Sequence, residues 1–213
     1  MIKYDLLVIG FGKAGKTLAA TLGNEGKKVA VVEESSEMYG GTCINIGCIP
    51  TKTLIVAADN KKDFKEAKAT RDTVVSKLNA KNFAMLDNNP NIDVYTASAK
   101  FVSNKVVEIS VNGETKQLEG DIVVINTGAK NNVLPIPGLT TSKNIYDSTQ
   151  FQKLESTPKT LGIIGGGNIG IEFANLYARF GVDVTVIDFA PTVLGREDKD
   201  IAEMAKGYLE EAG

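Results

Sequence analysis

Histidine is missing from the sequence, and cysteine occurs only twice among 213 residues. Without histidine, the chain itself has no imidazole for acid–base catalysis near neutral pH. A zinc site is also disfavoured, because there is neither a histidine nor a second cysteine pair, and we predict no metal site. A formal charge of −2 gives no electrostatic case for binding nucleic acid or an anionic membrane. No apolar run reaches the length of a transmembrane helix.

The size and composition are those of a globular protein. With 43% apolar and 23% charged residues, the 213 residues can form one large domain or up to two ordinary ones. The apolar part of the opening segment MIKYDLLVIG is too short for a signal peptide and no small-residue cleavage site follows it, so we interpret it as a strand. We therefore expect a reducing, cytoplasmic location, where a close cysteine pair is more often catalytic than structural.

Two segments of the chain repeat one pattern. Residues 4–35 and 159–190 each contain an apolar strand, a glycine-rich turn, an amphipathic helix and a second apolar strand that ends in an acid. This pattern predicts a βαβ unit written twice. We expect an α/β fold with two Rossmann-like units, the second truncated, and place a domain boundary at Ser156-Thr157-Pro158. We predict that residues 1–156 form a first dinucleotide-binding domain and that residues 157–213 form the N-terminal part of a second one.

The segments outside the repeats have simpler patterns. We predict helix over residues 48–86 and antiparallel strands over 92–125 with a hairpin turn at Asn112-Gly113. Residues 127–138 are rich in turn formers and predict a loop, and a charged helix is expected at the end of the chain.

The first repeat carries a dinucleotide fingerprint. Gly10, Gly12 and Gly15 form GxGxxG directly after the first strand, and Glu33 follows Gly15 by eighteen residues at the end of the next strand. The glycines permit a tight turn, close approach of a pyrophosphate and close helix packing. The helix N-terminus then offers free N–H groups to the phosphates, and the acid binds a ribose.

The second repeat carries the same elements in Gly165, Gly167 and Gly170, with Asp188 eighteen residues after Gly170. An acid at this position repels a 2′-phosphate, and the nearest following basic residue is Arg196. NADH is therefore favoured over NADPH. Two such sites on one chain suggest two cofactors that exchange electrons.

Both cysteines lie in one segment, GGTCINIGCIPTK, with four residues between Cys43 and Cys48. They are either small buried residues at a chance spacing or a redox pair. The preceding Gly40-Gly41 and the following Pro50 suggest a constrained loop that enters a helix. A thiolate at the N-terminus of that helix would be stabilised and reactive, which favours redox chemistry.

This segment, about thirty residues after GFGKAG, closely resembles the class I pyridine nucleotide–disulfide oxidoreductases, which include dihydrolipoamide dehydrogenase, glutathione reductase and mercuric reductase. The stretches GGGNIGIEFA, VVINTG and PIPG also fit, so the resemblance covers essentially the whole chain. One departure is Ile125-Asn126, which replaces the commoner apolar-Ala pair before Thr127-Gly128. The opening of the chain and its cysteine segment look most like the subgroup linked to bacterial reactive-chlorine and metal stress.

The resemblance implies a role for each matching residue. FAD would be bound by the first unit and the nicotinamide dinucleotide by the second. Cys48 would face the flavin, and Cys43 would be the thiol that meets the acceptor, a small-molecule disulfide or a metal ion. Lys52 would lie beside the flavin and pair with Glu172. The residues expected at the FAD site are Gly10, Gly12, Gly15, Glu33, Gly41, Thr42, Thr127 and Gly128.

Family members also have a second flavin-contacting segment and a C-terminal dimerisation domain, which supplies a His–Glu pair to the partner subunit of a homodimer. We therefore expect this chain to be a fragment with little or no turnover by itself. Two alternatives stay open. One is a dinucleotide-binding thiol switch without turnover, and the other is a structural fragment that binds no flavin.

Overall fold

The computed structural model describes residues 1–213 apart from the side chain of Ala212. The strands in chain order are β1 (Ile2–Ile9), β2 (Val29–Glu33), β3 (Ile92–Thr96), β4 (Ala99–Ser103), β5 (Val106–Val111), β6 (Glu114–Ile125), β7 (Thr160–Ile164) and β8 (Asp183–Ile187). The helices are α1 (Lys13–Asn24), α2 (Thr42–Asn45), α3 (Cys48–Asp59), α4 (Phe64–Asp87), α5 (Ser148–Phe151), α6 (Asn168–Arg179) and α7 (Lys199–Ala212). Both βαβ repeats, the α/β fold class and the C-terminal helix are confirmed.

The first repeat belongs to a mixed sheet with strand order β3-β2-β1-β6-β5-β4. Strands β1, β2 and β3 pair in parallel, and β6 joins β1 in parallel. All five residues of β2 are buried, as expected of a parallel strand covered on both faces. Alternate residues of β1 lie on opposite faces of the sheet. Leu6 and Val8 pack in one hydrophobic cluster, and Leu7 packs in a second cluster.

The prediction of antiparallel strands over 92–125 is correct for β4, β5 and β6 but wrong for β3. Strand β5 pairs antiparallel with both β4 and β6. Asn112 (φ 53°) and Gly113 (φ 82°) form the predicted hairpin turn between β5 and β6. Strand β3 instead pairs in parallel with β2, because the intervening helices carry the chain back to the same end of the sheet. A short apolar run such as IDVYT does not indicate strand direction.

The predicted helical stretch 48–86 is broken into α3 and α4. Lys61 takes a left-handed conformation (φ 56°) between them and ends the first helix. None of the helices, in the part of the chain that the structure describes, has the length and apolarity needed to cross a bilayer.

The chain divides into two compact units, one of residues 1–48 and 74–133 and the other of residues 49–73 and 134–213. In the second unit, Leu54 of α3 and Ala67 of α4 pack in one core with Phe173 of α6. The predicted boundary at residues 156–158 falls inside this unit and stays a prediction. The second repeat contributes a parallel pair, β7 with β8, in register from Thr160–Asp183 to Ile164–Ile187.

Candidate functional site

The first glycine turn joins β1 to α1 with no room for side chains. Gly10 has φ 99°, and a Cβ there would lie 2.3 Å from the carbonyl oxygen of Asn126. A Cβ on Gly15 would lie 2.5 Å from Cγ1 of Val8, so this glycine lets α1 pack closely on β1. Helix α1 begins after Gly12 without a side-chain cap, which leaves its first N–H groups for another partner.

Asn126 completes this turn and is a residue that sequence reasoning did not assign to the site. Strands β1 and β6 are parallel neighbours, so the residues that follow them meet at one edge of the sheet. The Asn126 side-chain amide donates to the carbonyl of Gly10 at 3.2 Å and to that of Gly12 at 3.0 Å. The available signal was the departure from the commoner Ala before Thr127-Gly128.

Glu33 lies at the end of β2, as predicted, with 9% of the residue exposed. Its carboxylate accepts the backbone N–H of Phe11 at 2.8 Å and that of Ser35 at 3.2 Å. The acid therefore ties the end of β2 to the glycine turn. Each carboxylate oxygen keeps further acceptor capacity for a ribose.

The cysteine segment packs onto this glycine turn. Gly41 has φ 80°, and a Cβ there would lie 2.7 Å from Cα of Gly12. Thr42 begins α2, and the Cβ position of Gly128 lies 3.9 Å from the Thr42 Oγ1. Thr127 is exposed beside it along the chain. The residues predicted for the first nucleotide thus lie at one edge of the sheet.

Cys48 is the first residue of α3, as the predicted loop-to-helix transition requires, whereas Cys43 lies in the short helix α2 and not in a loop. Both are exposed free thiols, and their side chains are hydrogen-bonded to each other. This bond, followed by partial burial, raises the pKa of Cys43 above its ordinary value. The structure therefore brings the two thiols together in the reduced form.

The second glycine turn differs from the first in its surroundings. A Cβ on Gly170 would lie 1.9 Å from the carbonyl oxygen of Gly165, so this glycine is required by the backbone. Gly167 instead faces open space at an ordinary φ of −79°. No atom of the described residues lies within 4 Å of a Cβ placed on Gly167, so a side chain would fit there. This open space is compatible with the close approach of a ligand that the glycine motif predicts.

Asp188 ends β8 in the way that Glu33 ends β2. Its carboxylate accepts the backbone N–H of Gly166 at 2.6 Å and that of Ala190 at 2.8 Å. These hydrogen bonds, from Ala190 first and then Gly166, lower the pKa of Asp188 and keep it ionised. Phe11 and Gly166 occupy the same place in their glycine turns, so each acid binds the middle residue of its own turn.

Lys52 and Glu172 form the predicted ion pair, between α3 and α6 in the second unit. The side chains are 54% and 44% exposed, respectively. The pair is therefore a solvent-accessible one in the described chain.

A family profile, that of the pyridine nucleotide-disulphide oxidoreductases, matches residues 4–213. The chain belongs to this family.

Relatives of known sequence and structure agree with this membership. The chain is 48% identical over its full length to the probable pyridine nucleotide-disulfide oxidoreductase RclA of Escherichia coli. It is 34% identical to a dihydrolipoyl dehydrogenase of Thermus scotoductus. A Cu(II) complex of the HOCl-induced flavoprotein disulfide reductase RclA from E. coli superimposes with a TM-score of 0.96 over the whole chain. The chain spans 48% of the length of each of these relatives.

The residues present fit the two dinucleotides that the family implies. Helices α1 and α6 have 12 residues each, and each follows a glycine N-cap without a side-chain hydrogen bond. Their first N–H groups are therefore suited to binding an anion such as a phosphate. The open space at Gly167 adds room for a phosphate at the second turn. Gly41 packs against the first turn and Thr42 lies beside Gly128, and these are residues expected at the FAD site.

Proposed function

We propose that this chain is the dinucleotide-binding and dithiol-bearing part of an FAD-dependent oxidoreductase, which passes electrons from NAD(P)H to a Cys43–Cys48 disulfide and on to an acceptor. The observation that carries this proposal is the contact between the two thiols, on a segment whose Gly41 packs against Gly12 of the first glycine turn. Membership of the family supports the same reaction class.

In this proposal the N-terminus of α1 and the segments at Thr42 and Gly128 hold FAD. When bound, FAD supplies two-electron transfer between a nicotinamide and a disulfide. Cys48, at the first position of α3, takes the flavin-facing role, and Lys52 with Glu172 sets the charge near the flavin.

Cys43 is proposed to meet the acceptor. Its thiolate attacks one sulfur of a small-molecule disulfide and releases one thiol, leaving a mixed disulfide. Cys48 then attacks Cys43, which releases the second thiol and re-forms the Cys43–Cys48 disulfide. Two protein thiols are oxidised as one acceptor disulfide is reduced. A soft metal ion is the alternative acceptor, because thiolates bind such ions.

In this proposal, proton transfer limits the turnover of the chain by itself. The hydrogen bond with Cys48 and partial burial raise the pKa of Cys43, which disfavours its thiolate, and the chain has no histidine to accept the proton. We therefore propose low turnover for these 213 residues alone, with the acid–base group supplied by the partner subunit in a full-length homodimer. A cytoplasmic location belongs to the same proposal.

NADH is proposed as the preferred donor. Asp188 is held ionised by the N–H groups of Gly166 and Ala190, beside the second glycine turn. An ionised acid accepts hydrogen bonds from a ribose and repels a 2′-phosphate. Replacing Asp188 with Ser should reduce the preference for NADH over NADPH.

A reductive titration tests the proposal. The chain is loaded with FAD, oxidised, and titrated anaerobically with NADH while the thiols are counted with a chromogenic reagent. We expect NADH to generate both cysteine thiols and a long-wavelength absorbance band. Cys43→Ser should keep flavin binding and lose the gain in thiols. Flavin binding without any NADH-dependent thiol gain would contradict the proposed electron path.

The thiol switch is the second candidate, and the exposure of both free thiols favours it. It differs in one measurable respect. A chain that binds no flavin, yet interconverts reversibly between dithiol and disulfide with glutathione, would support the switch. A chain that does neither would be the structural fragment.

A further inference from the structure

We propose that Asn79 of α4 is a positioning residue for Cys43, acting through Asn45. This inference rests on the proposed dithiol chemistry but concerns the thiol pair alone. It needs neither flavin nor nucleotide. The residues involved all lie in the first compact unit.

The helix that carries Cys43 cannot be stable by itself. Helix α2 has only four residues, Thr42–Asn45, and helices this short are not stable in isolation. It follows two glycines in the left-handed region, Gly40 (φ 93°) and Gly41 (φ 80°). A turn of this kind has few internal hydrogen bonds, so outside contacts must define where Cys43 lies.

Asn45 supplies the first of these contacts. It is 8% exposed, and its side-chain N–H groups donate to the carbonyls of Tyr39 at 3.0 Å and Gly41 at 2.9 Å. Both carbonyls flank the two left-handed glycines. The amide of Asn45 therefore closes the turn from one side, two residues after Cys43.

Asn79 supplies the second contact and anchors the turn to α4. Its side-chain amide donates to Oδ1 of Asn45 at 3.0 Å and to the carbonyl of Ser36 at 3.2 Å. With the Asn79 contact, both N–H groups and the carbonyl oxygen of the Asn45 side chain are hydrogen-bonded. These three bonds together fix the orientation of the Asn45 side chain. The turn that carries Cys43 is therefore held against α4, a helix of 24 residues.

These contacts should keep the thiol of Cys43 close to that of Cys48. A disulfide requires a narrow range of separations and dihedral angles, so mobility of one partner lowers the fraction of time in which the bond can form. Loss of the Asn79 contact should therefore weaken the Cys43–Cys48 disulfide. It should also weaken the hydrogen bond that raises the pKa of Cys43, which makes that thiol more acidic.

The test is a glutathione titration of the purified 213-residue chain, compared among variants. In the reaction, Cys43 attacks oxidised glutathione and releases one glutathione, and Cys48 then displaces the second, so two protein thiols are oxidised for each glutathione disulfide reduced. We expect Asn79→Ala to lower the equilibrium constant roughly tenfold, because the thiol pair is less pre-organised. The rate of Cys43 alkylation at pH 7.5 should rise several-fold, as its pKa falls.

Controls separate positioning from general destabilisation. Ser76→Ala removes an exposed polar side chain from the same helix and should leave both readouts within twofold of the wild type. Asn79→Leu keeps a similar size but removes the donor without adding charge, so it should behave like Asn79→Ala. It also carries the test if Asn79→Ala fails to fold. The double variant Asn45→Ala/Asn79→Ala should match Asn45→Ala alone.

Two results would overturn the proposal. One is an equilibrium constant and a Cys43 alkylation rate in Asn79→Leu or Asn79→Ala that stay within twofold of the wild type. The other is a double variant whose effect equals the sum of the single effects, since that would show that Asn79 does not act through Asn45. Failure of the flavin titration leaves both readouts unchanged, so the two proposals fail separately.

Discussion

The carboxylate of Glu172 pairs with the ammonium of Lys52 across 120 positions of sequence, and both side chains are about half exposed. An exposed pair of this kind contributes little to stability, because water and salt screen it and two long side chains lose freedom. The proposed role of the pair is therefore in the charge near the flavin and not in folding.

The first prediction concerns the energy of this pair. A double-mutant cycle with Lys52→Met and Glu172→Gln should give a coupling energy of about 0.2–1 kcal/mol in urea unfolding. The coupling should fall further in high salt. A value well above this range, unaffected by salt, would show that the pair is desolvated in solution.

The second prediction contrasts two glycines of the second turn. Gly170→Ala should lower the free energy of unfolding by about 1–3 kcal/mol or more, because its Cβ would meet the carbonyl oxygen of Gly165. Gly167→Ala should change that free energy by only about 0.5 kcal/mol, since its Cβ enters open space. Urea unfolding measures both.

The same Gly167→Ala variant should bind NADH about tenfold more weakly, because the added methyl group stands where a phosphate approaches. Fluorescence titration with NADH measures this loss. Unchanged NADH affinity in a folded Gly167→Ala variant would remove the ligand-based explanation of this glycine.

The third prediction concerns Asn126 and Gly12. A Cβ on Gly12 would lie 2.9 Å from the amide nitrogen of Asn126, whereas its own φ of −64° suits any residue. Gly12→Ala should therefore be less destabilising when Asn126 is already Ala, with a coupling energy of about 0.5–3 kcal/mol. Additive effects in the unfolding cycle would show that Asn126 can move aside without loss.

The fourth prediction is a pH dependence at Asp188. Its pKa in the folded chain is lowered by backbone hydrogen bonds, so the unfolded state binds the proton more tightly. The stabilisation is therefore fully present above the ordinary carboxyl pKa and is lost as pH falls through the lower, folded value. Asp188→Asn should be less stable than the wild type at pH 7, and the difference should shrink toward pH 3. Urea unfolding across that range measures it, and a constant difference would contradict the assignment.

Much of the fold follows from local patterns. The period of apolar residues, the glycine spacing and the acids at strand ends predict both βαβ repeats, and Asn112-Gly113 predicts its hairpin. These features depend on neighbours within a few residues, where steric limits and burial act directly on the chain. Strand β3 shows the boundary of this reasoning: the direction in which IDVYT pairs depends on where helix α4 returns the chain.

The candidate site divides in the same way. The sequence by itself determined which residues have the chemistry: two thiols five positions apart, two glycine turns and two acids. Only the tertiary structure decided their partners. Asn126 binds the first turn because β6 lies beside β1, and Asn79 reaches Asn45 because α4 packs behind the cysteine segment. Such contacts join residues 34 to 116 positions apart, so they depend on packing of the whole unit. The local sequence does not name the partner, even where Asn126 departs from the commoner Ala.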